Sequence, residues 1–146
     1  MHEPHMWGAK MRYLAIDFGD KRTGLAICDS AETIATPLAV IQGQKGLLKR
    51  IQDVVEKENV GAIVVGLPLS MDDSESRQTQ RVLDFVEQLR KHLDITVYLQ
   101  DERLSSFGAK HKLAAAKFTV GKKKKRLDAV AAATILEAFL QTKKGR

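Results

Sequence analysis

The sequence predicts an α/β fold, a mixed sheet flanked by helices. Three observations lead there. Residues 12–41 hold three short β-type runs joined by turns, and the rest alternates helical stripes with single apolar runs. Strands joined by a hairpin run antiparallel, whereas strands joined through a helix in one sheet run parallel, so the sheet must be mixed. The length, 146 residues, suits one domain that buries roughly 68–70% of its unfolded surface and needs no metal or disulfide staple.

The elements follow in order. Residues 1–10 (MHEPHMWGAK) have no period and contain Pro4 and Gly8, so a disordered leader is expected, with Met11 as an alternative start. His2 and His5 belong to that leader rather than to a metal site. Arg12–Phe18 reads as a strand closed by Gly19, and Thr23–Cys28 as its antiparallel neighbour across the turn Gly19-Asp20-Lys21-Arg22. Ala35–Ile41 is a third strand, and Pro37, lacking an N–H, assigns it to a sheet edge. Leu47, Leu48, Ile51, Val54 and Val55 stripe a helix over Lys45–Glu58, closed by Asn59 and Gly61. Ala62–Val65 is a strand apolar on both faces. Val82, Phe85, Val86, Leu89 and Leu93 stripe a helix over Ser74–His92, and Ile95–Leu99 is the last strand. Ser105–Ala116 is helix-like, Phe118–Arg126 is expected to be a flexible basic segment, and Leu127–Gln141 forms an alanine-rich helix. Residues 11–146 therefore read as a single domain.

The single cysteine, Cys28, excludes an intramolecular disulfide framework and fits a reducing compartment. No apolar run approaches the ~20 residues of a membrane helix, and no secretory signal stands at the N-terminus. A cytoplasmic protein without membrane contact is expected, as a monomer or homodimer. The net charge of +6 is unevenly placed. Residues 1–100 carry 12 basic and 14 acidic side chains, residues 101–146 carry 12 and 4. An excess confined to one end suits a polyanion, most simply nucleic acid, although a solvated basic tail has the same composition.

Carboxylates at the ends of elements are the candidate chemistry. Asp17 lies near the end of the first strand, and alternation puts it on the face opposite Ile16 and Phe18. There it needs a cation or donors, or else serves only to cap the turn at Gly19. Asp101 and Glu102 follow the last strand, at the carboxyl edge where open α/β sheets gather ligands. Asp101 has a simpler role as a helix cap, and Arg103 could pair with Glu102. Asp128 is expected to open the last helix, where the helix dipole favours an acid. The run Ala129-Val130-Ala131-Ala132-Ala133 would let that helix lie close to the sheet and carry Asp128 toward Asp17 and Glu102. Three carboxylates without histidine or cysteine suit a hard cation, Mg²⁺ by default and Mn²⁺ as near substitute. Such ions activate water and stabilise a leaving oxygen in phosphodiester cleavage. The sequence has no P-loop and no G-x-G-x-x-G, and Cys28 reads as a structural thiol.

Four ordered motifs resemble the YqgF family of Holliday junction resolvase-like and pre-16S rRNA nuclease proteins. They are Leu14-Ala15-Ile16-Asp17-Phe18-Gly19-Asp20-Lys21-Arg22-Thr23-Gly24-Leu25-Ala26, Val65-Gly66-Leu67-Pro68-Leu69-Ser70-Met71-Asp72, Asp101-Glu102-Arg103-Leu104-Ser105-Ser106, and Lys124-Lys125-Arg126-Leu127-Asp128-Ala129-Val130-Ala131-Ala132. The resemblance implies an RNase H-like fold, with a five-stranded mixed sheet flanked by helices. It also implies a divalent-metal nuclease acting on pre-rRNA or branched DNA. The family's acidic set maps onto Asp17, Glu102 and Asp128, as catalytic residues and metal ligands. Lys21 and Arg22 match its basic hairpin turn. With Arg103 and the run Lys122, Lys123, Lys124, Lys125 and Arg126 they are the expected substrate-binding cations. The sequence departs from the pattern at Asp73 and Ser76, where the family often has glycines. It also lacks a carboxylate at Gly66-Leu67-Pro68, and residues 1–10 have no counterpart.

Two other functions fit parts of the pattern. A non-catalytic RNA-binding or ribosome-assembly factor could use the same fold. An actin-like nucleotide-binding module shares Asp17-x-Gly19 but needs a second lobe, for which the chain has no room or repeat. The nucleic-acid reading makes a numerical prediction. Binding should show a log–log salt slope of about −0.7 to −0.9 per phosphate contact. Replacing Lys122–Lys125 by alanine should flatten that slope in a fluorescence-anisotropy titration, and an unchanged slope and affinity would reduce the run to a solvated tail.

Overall fold

Strand β1 (Tyr13–Asp17) is apolar on both faces and takes the centre of the sheet. Leu14 and Ile16 enter one core layer and Tyr13 and Ala15 the other, the alternation a pleated strand imposes. The computed structural model describes residues 11–69, 76–104 and 120–144. Within them follow β2 (Arg22–Cys28), β3 (Ala35–Gln42), α1 (Leu47–Lys57), β4 (Ala62–Leu67), α2 (Arg77–His92), β5 (Thr96–Asp101), a 3₁₀ turn at Glu102–Leu104 and α3 (Val120–Lys144). The five strands form one sheet in the order β3-β2-β1-β4-β5. β1 pairs antiparallel with β2 and parallel with β4, and β4 pairs parallel with β5. The fold is thus the expected mixed sheet, and Pro37 lies on an edge strand, opposite Ala26 where the β2–β3 register shifts.

Helices α1 and α2 cover one face, burying Ile51, Val82, Phe85, Val86 and Leu89 against Leu14, Ile16, Ile63 and Val65. Asn59 adopts a left-handed conformation (φ 57°) just past α1, and the Val60 amide reaches back to the Val55 carbonyl at 3.0 Å. That is the C-terminal closure its sequence called for. Ser76 caps α2, accepting from the Thr79 amide at 3.1 Å. The opposite face is covered by α3, through Ala132, Ala133, Ile135, Leu136, Phe139 and Leu140.

Two expectations change at α3. The helix starts at Val120, so the backbone of Lys122–Arg126 is helical rather than a flexible segment. Lysine and arginine are good helix formers, and they extend a helix whose packed part already bears the nucleation cost. Asp128 consequently does not open the helix but lies more than two turns inside it. The expected leader (1–10) and the helix-like Ser105–Ala116 lie outside the described residues. Among the described residues no helix is long and apolar enough to cross a membrane.

Two acids tie down the β2–β3 connection. Asp29 Oδ1 accepts from the amides of Thr33 (2.7 Å) and Ile34 (3.1 Å), and the Thr33 hydroxyl donates to Oδ2. Glu32 is buried with φ 60°. Its Oε2 accepts from the Met11 amide (2.8 Å), and its Oε1 from Lys143 Nζ (3.0 Å) near the end of α3. The bonds from Thr33 and Ile34 hold the Asp29 carboxyl down to about 2. An unfolded aspartate titrates near ~3.9. The turn's contribution to stability is therefore present above that value and lost as pH falls toward the folded one. In urea unfolding, the stability gap between the parent and Asp29→Ala should be constant above about pH 5 and shrink below about pH 4. A gap unchanged across that window would contradict this account of the turn.

Candidate active site

Asp17 ends β1, and by alternation it shares the face of Tyr13 and Ala15, the face covered by α3. Its cross-strand partner on β2 is Gly24. On the other side Ile16 pairs with Val65 of β4, which makes Gly66 the next residue along. Asp17 therefore stands between two strand glycines. A Cβ on Gly24 would overlap the backbone carbonyl of Asp128. A Cβ on Gly66 would overlap Ile135 Cδ1 and press on the Glu102 carboxylate, whose Oε2 lies 3.0 Å away. Gly24 admits the turn of α3 that bears Asp128, and Gly66 admits Glu102. Asp17, Glu102 and Asp128 thus come from three elements to one end and one face of the sheet.

The partners are specific. Arg22, first residue of β2, donates from Nε to Asp128 Oδ2 at 2.8 Å, with both side chains about a quarter exposed (28% and 27%). A pair this accessible adds only ~0–1 kcal/mol to stability. Its effect is to orient the Asp128 carboxylate. Asp101 accepts from the Arg103 backbone N–H at 2.9 Å and from its guanidinium at 2.8–3.2 Å. Those bonds hold the Asp101 carboxyl below its usual range. Asp101 caps the 3₁₀ turn that starts at Glu102, which is the modest role expected for it, and it also takes the Arg103 guanidinium. Lys21 is exposed in the β1–β2 turn, where its carbonyl accepts from the Gly43 amide at 2.7 Å. The side chains of Lys122, Lys123, Lys124, Lys125 and Arg126 lie outside the described residues.

The donor set fits a hard dication in kind, since it consists of carboxylate oxygens. In position it is incomplete. Among the described residues no three His, Cys, Asp or Glu stand close enough together to hold an ion as placed. Arg22 meanwhile supplies the positive charge that Asp128 takes. Cys28 is buried, accepts from the Tyr13 amide at 3.2 Å and has its thiol pushed up by burial. It is a structural thiol, as expected.

The glycines are what sequence reasoning missed. An isolated glycine in an apolar strand signals close backbone approach, and Gly24 and Gly66 both carried that signal. Neither the Arg22–Asp128 pair, 106 residues apart, nor the burial of Glu32 had a local sign.

A family model described as "RuvX: Holliday junction resolvase" matches residues 11–142. The chain belongs to the RuvX family. Its relatives include a protein of Maridesulfovibrio salexigens named "Putative pre-16S rRNA nuclease", 41% identical over 132 residues, spanning 89% of this chain and 98% of that protein. A protein of Pelagibacter ubique with the same name is 38% identical over 133 residues, spanning 90% of this chain and 88% of its own. Among solved structures, RuvC of Thermus thermophilus superposes with a TM-score of 0.58 at 15% identity, covering 91% of this chain and 97% of that one. The T. thermophilus RuvC complex with a Holliday junction substrate gives 0.61 at 14%, covering 91% and 96%. The RuvX fold is RNase H-like, as the motifs implied.

In this RuvX protein the approach at Gly24 is directly testable. Gly24→Ala should cost about 1–3 kcal/mol, the usual range for overpacking a tight interface. Urea unfolding measures it, and parent-like stability would mean that α3 does not press on β2 there.

Proposed function

We propose that this chain is a divalent-metal-dependent nuclease that hydrolyses phosphodiester bonds in the processing of the 5′ end of pre-16S rRNA, within the cytoplasm. The observation that carries the catalytic part is the pair of glycines flanking Asp17, which admit Asp128 on one side and Glu102 on the other. The substrate reading follows from the name that the relatives of M. salexigens and P. ubique bear.

In this reading, residues 11–146 act as one nuclease domain. Asp17, Glu102 and Asp128 would hold Mg²⁺, or Mn²⁺ in its place. When bound, such an ion supplies an activated water and neutralises charge developing on the phosphate. The chain's own residues bind and orient. Lys21 projects from the hairpin turn toward solvent and meets the phosphate backbone. Arg22 holds the Asp128 carboxylate in place and competes with the ion for it. Arg103 and the helical run Lys122–Arg126 extend the cationic surface for phosphates, which position a nucleic acid without reading its sequence.

A branched-DNA substrate is the second reading, favoured by the family model's own description. Both substrates present the same phosphates, so a cleavage panel separates them. Precursor 16S rRNA, four-way junction DNA, linear duplex and single strands would each be incubated with Mg²⁺, Mn²⁺ or EDTA. Cleavage should depend on the metal and favour the precursor RNA. Asp17→Asn and Glu102→Gln should each lower the rate by about a hundredfold or more, several kcal/mol of transition-state stabilisation. Asp101→Asn should stay within a few-fold, because asparagine caps as well as aspartate. Cleavage by Asp17→Asn at the parent rate would end the catalytic reading.

A further inference from the structure

The face of the sheet opposite Asp17 carries a concavity. Phe18 follows Asp17 directly, but its side chain turns to the layer of α1 and α2 and packs against that core. There it stacks on Phe85 of α2, with ring centroids 4.3 Å apart and an interplanar angle of 16°. The two rings and Leu48 of α1 line a cleft of about 500 Å³ between α1 and α2, within the range of small-ligand sites. Its polar lining includes Asp84, Gln88 and Arg81 of α2. Arg81 forms an ion pair with Asp20, which ties α2 to the β1–β2 turn.

We propose that this cleft is a binding site for an unpaired nucleobase. A planar ring with polar edges matches the lining. Unpaired bases bind by stacking on aromatic side chains, and Phe18 is only half-buried. Asp84 accepts hydrogen bonds and the Gln88 amide both donates and accepts, so together they suit the amino and carbonyl groups of a base edge. Both are exposed on one side of α2, one turn apart. The charge also selects for a base over a phosphate. Around the cleft Asp20 and Asp84 balance Lys49 and Arg81, and Arg81 and Lys49 already pair with Asp20 and Asp53. The position is suited to a strand crossing the end of the sheet. Asp17 and Phe18 are consecutive, so the acidic centre and the cleft lie back to back across the end of β1.

The base can come from a free nucleotide or from a single strand, and the test separates them. Metal-free full-length protein, labelled with ¹⁵N, would be titrated with adenosine, guanosine, cytidine and uridine 5′-monophosphates. Parallel titrations would use an unpaired oligonucleotide, and ribose 5-phosphate as a ligand without a base. At least one base-bearing ligand should shift the amide signals of Phe18, Leu48 and Gln88 saturably, while ribose 5-phosphate leaves them in place. Shifts with mononucleotides identify a free-nucleotide site, and shifts with the oligonucleotide alone identify a strand site. Asp84→Ala and Gln88→Ala, both at exposed helix positions, should weaken binding at least fivefold with the folded-state spectrum otherwise retained. Three results would overturn the proposal: no cleft shift with any base-bearing ligand, equal shifts with ribose 5-phosphate, or parent-like binding by both variants. No cleavage is measured, so a failure here leaves the nuclease reading standing, and a failure of that reading leaves this one.

Discussion

Helix α3 reaches the sheet only because side chains are missing where the two meet. Gly24 has no Cβ to hold off the Asp128 carbonyl, and Ala15, Ala26, Ala132 and Ala133 keep the rest of that layer thin. Once the helix is seated, its register follows. Asp128 lies at Gly24 and Arg22, Ile135 over Gly66, Phe139 against the Tyr13 and Tyr98 rings, and Lys143 on Glu32. These positions recur at spacings of seven, four and four residues, one face of a helix. Sliding α3 by a residue would break all of these contacts together. The location of Asp128 is thus fixed by contacts spread along the helix as far as Lys143 as well as by its own bond to Arg22.

The end of β1 divides two kinds of chemistry between the faces of the sheet. Asp17 points into the alanine-rich layer, where helix and sheet backbones approach closely and carboxylates collect. Phe18 points into the aliphatic layer, where α1 and α2 leave a cleft floored by stacked rings. The period of a strand is two, so consecutive residues serve opposite surfaces at no extra cost in chain. The same alternation separates Lys21, in the turn that follows, from Arg22, the first residue of β2. One stays in solvent, and the other turns back to meet Asp128.

Much of this was legible in the sequence where the cause was local. The three-strand meander, the edge position of Pro37, the left-handed closure at Asn59, the face of Asp17 and the capping by Asp101 each follow from a few adjacent residues. The start of α3 was misplaced because a lysine run reads as flexible by charge, although its helix propensity is high and the packed helix beyond it supplies nucleation. With the helix starting at Val120, Asp128 stands inside it rather than at its end. Glu32 carries no local signal because its partners, Met11 and Lys143, are 21 and 111 residues away. For the candidate site, the acids could be named from their positions at element ends. What joins them, the bare backbone at Gly24 and Gly66, becomes visible only once β1 is known to run between β2 and β4.

In the proposed metal site these glycines let Asp17, Glu102 and Asp128 share one hard cation. Anomalous scattering from crystals soaked in Mn²⁺ tests it without reference to turnover. A manganese peak is expected within bonding distance of the Asp17 carboxylate, shared with Glu102 or Asp128, with Arg22 drawn away from any carboxylate that binds the ion. A peak remote from Asp17, or none at saturating Mn²⁺, would contradict it.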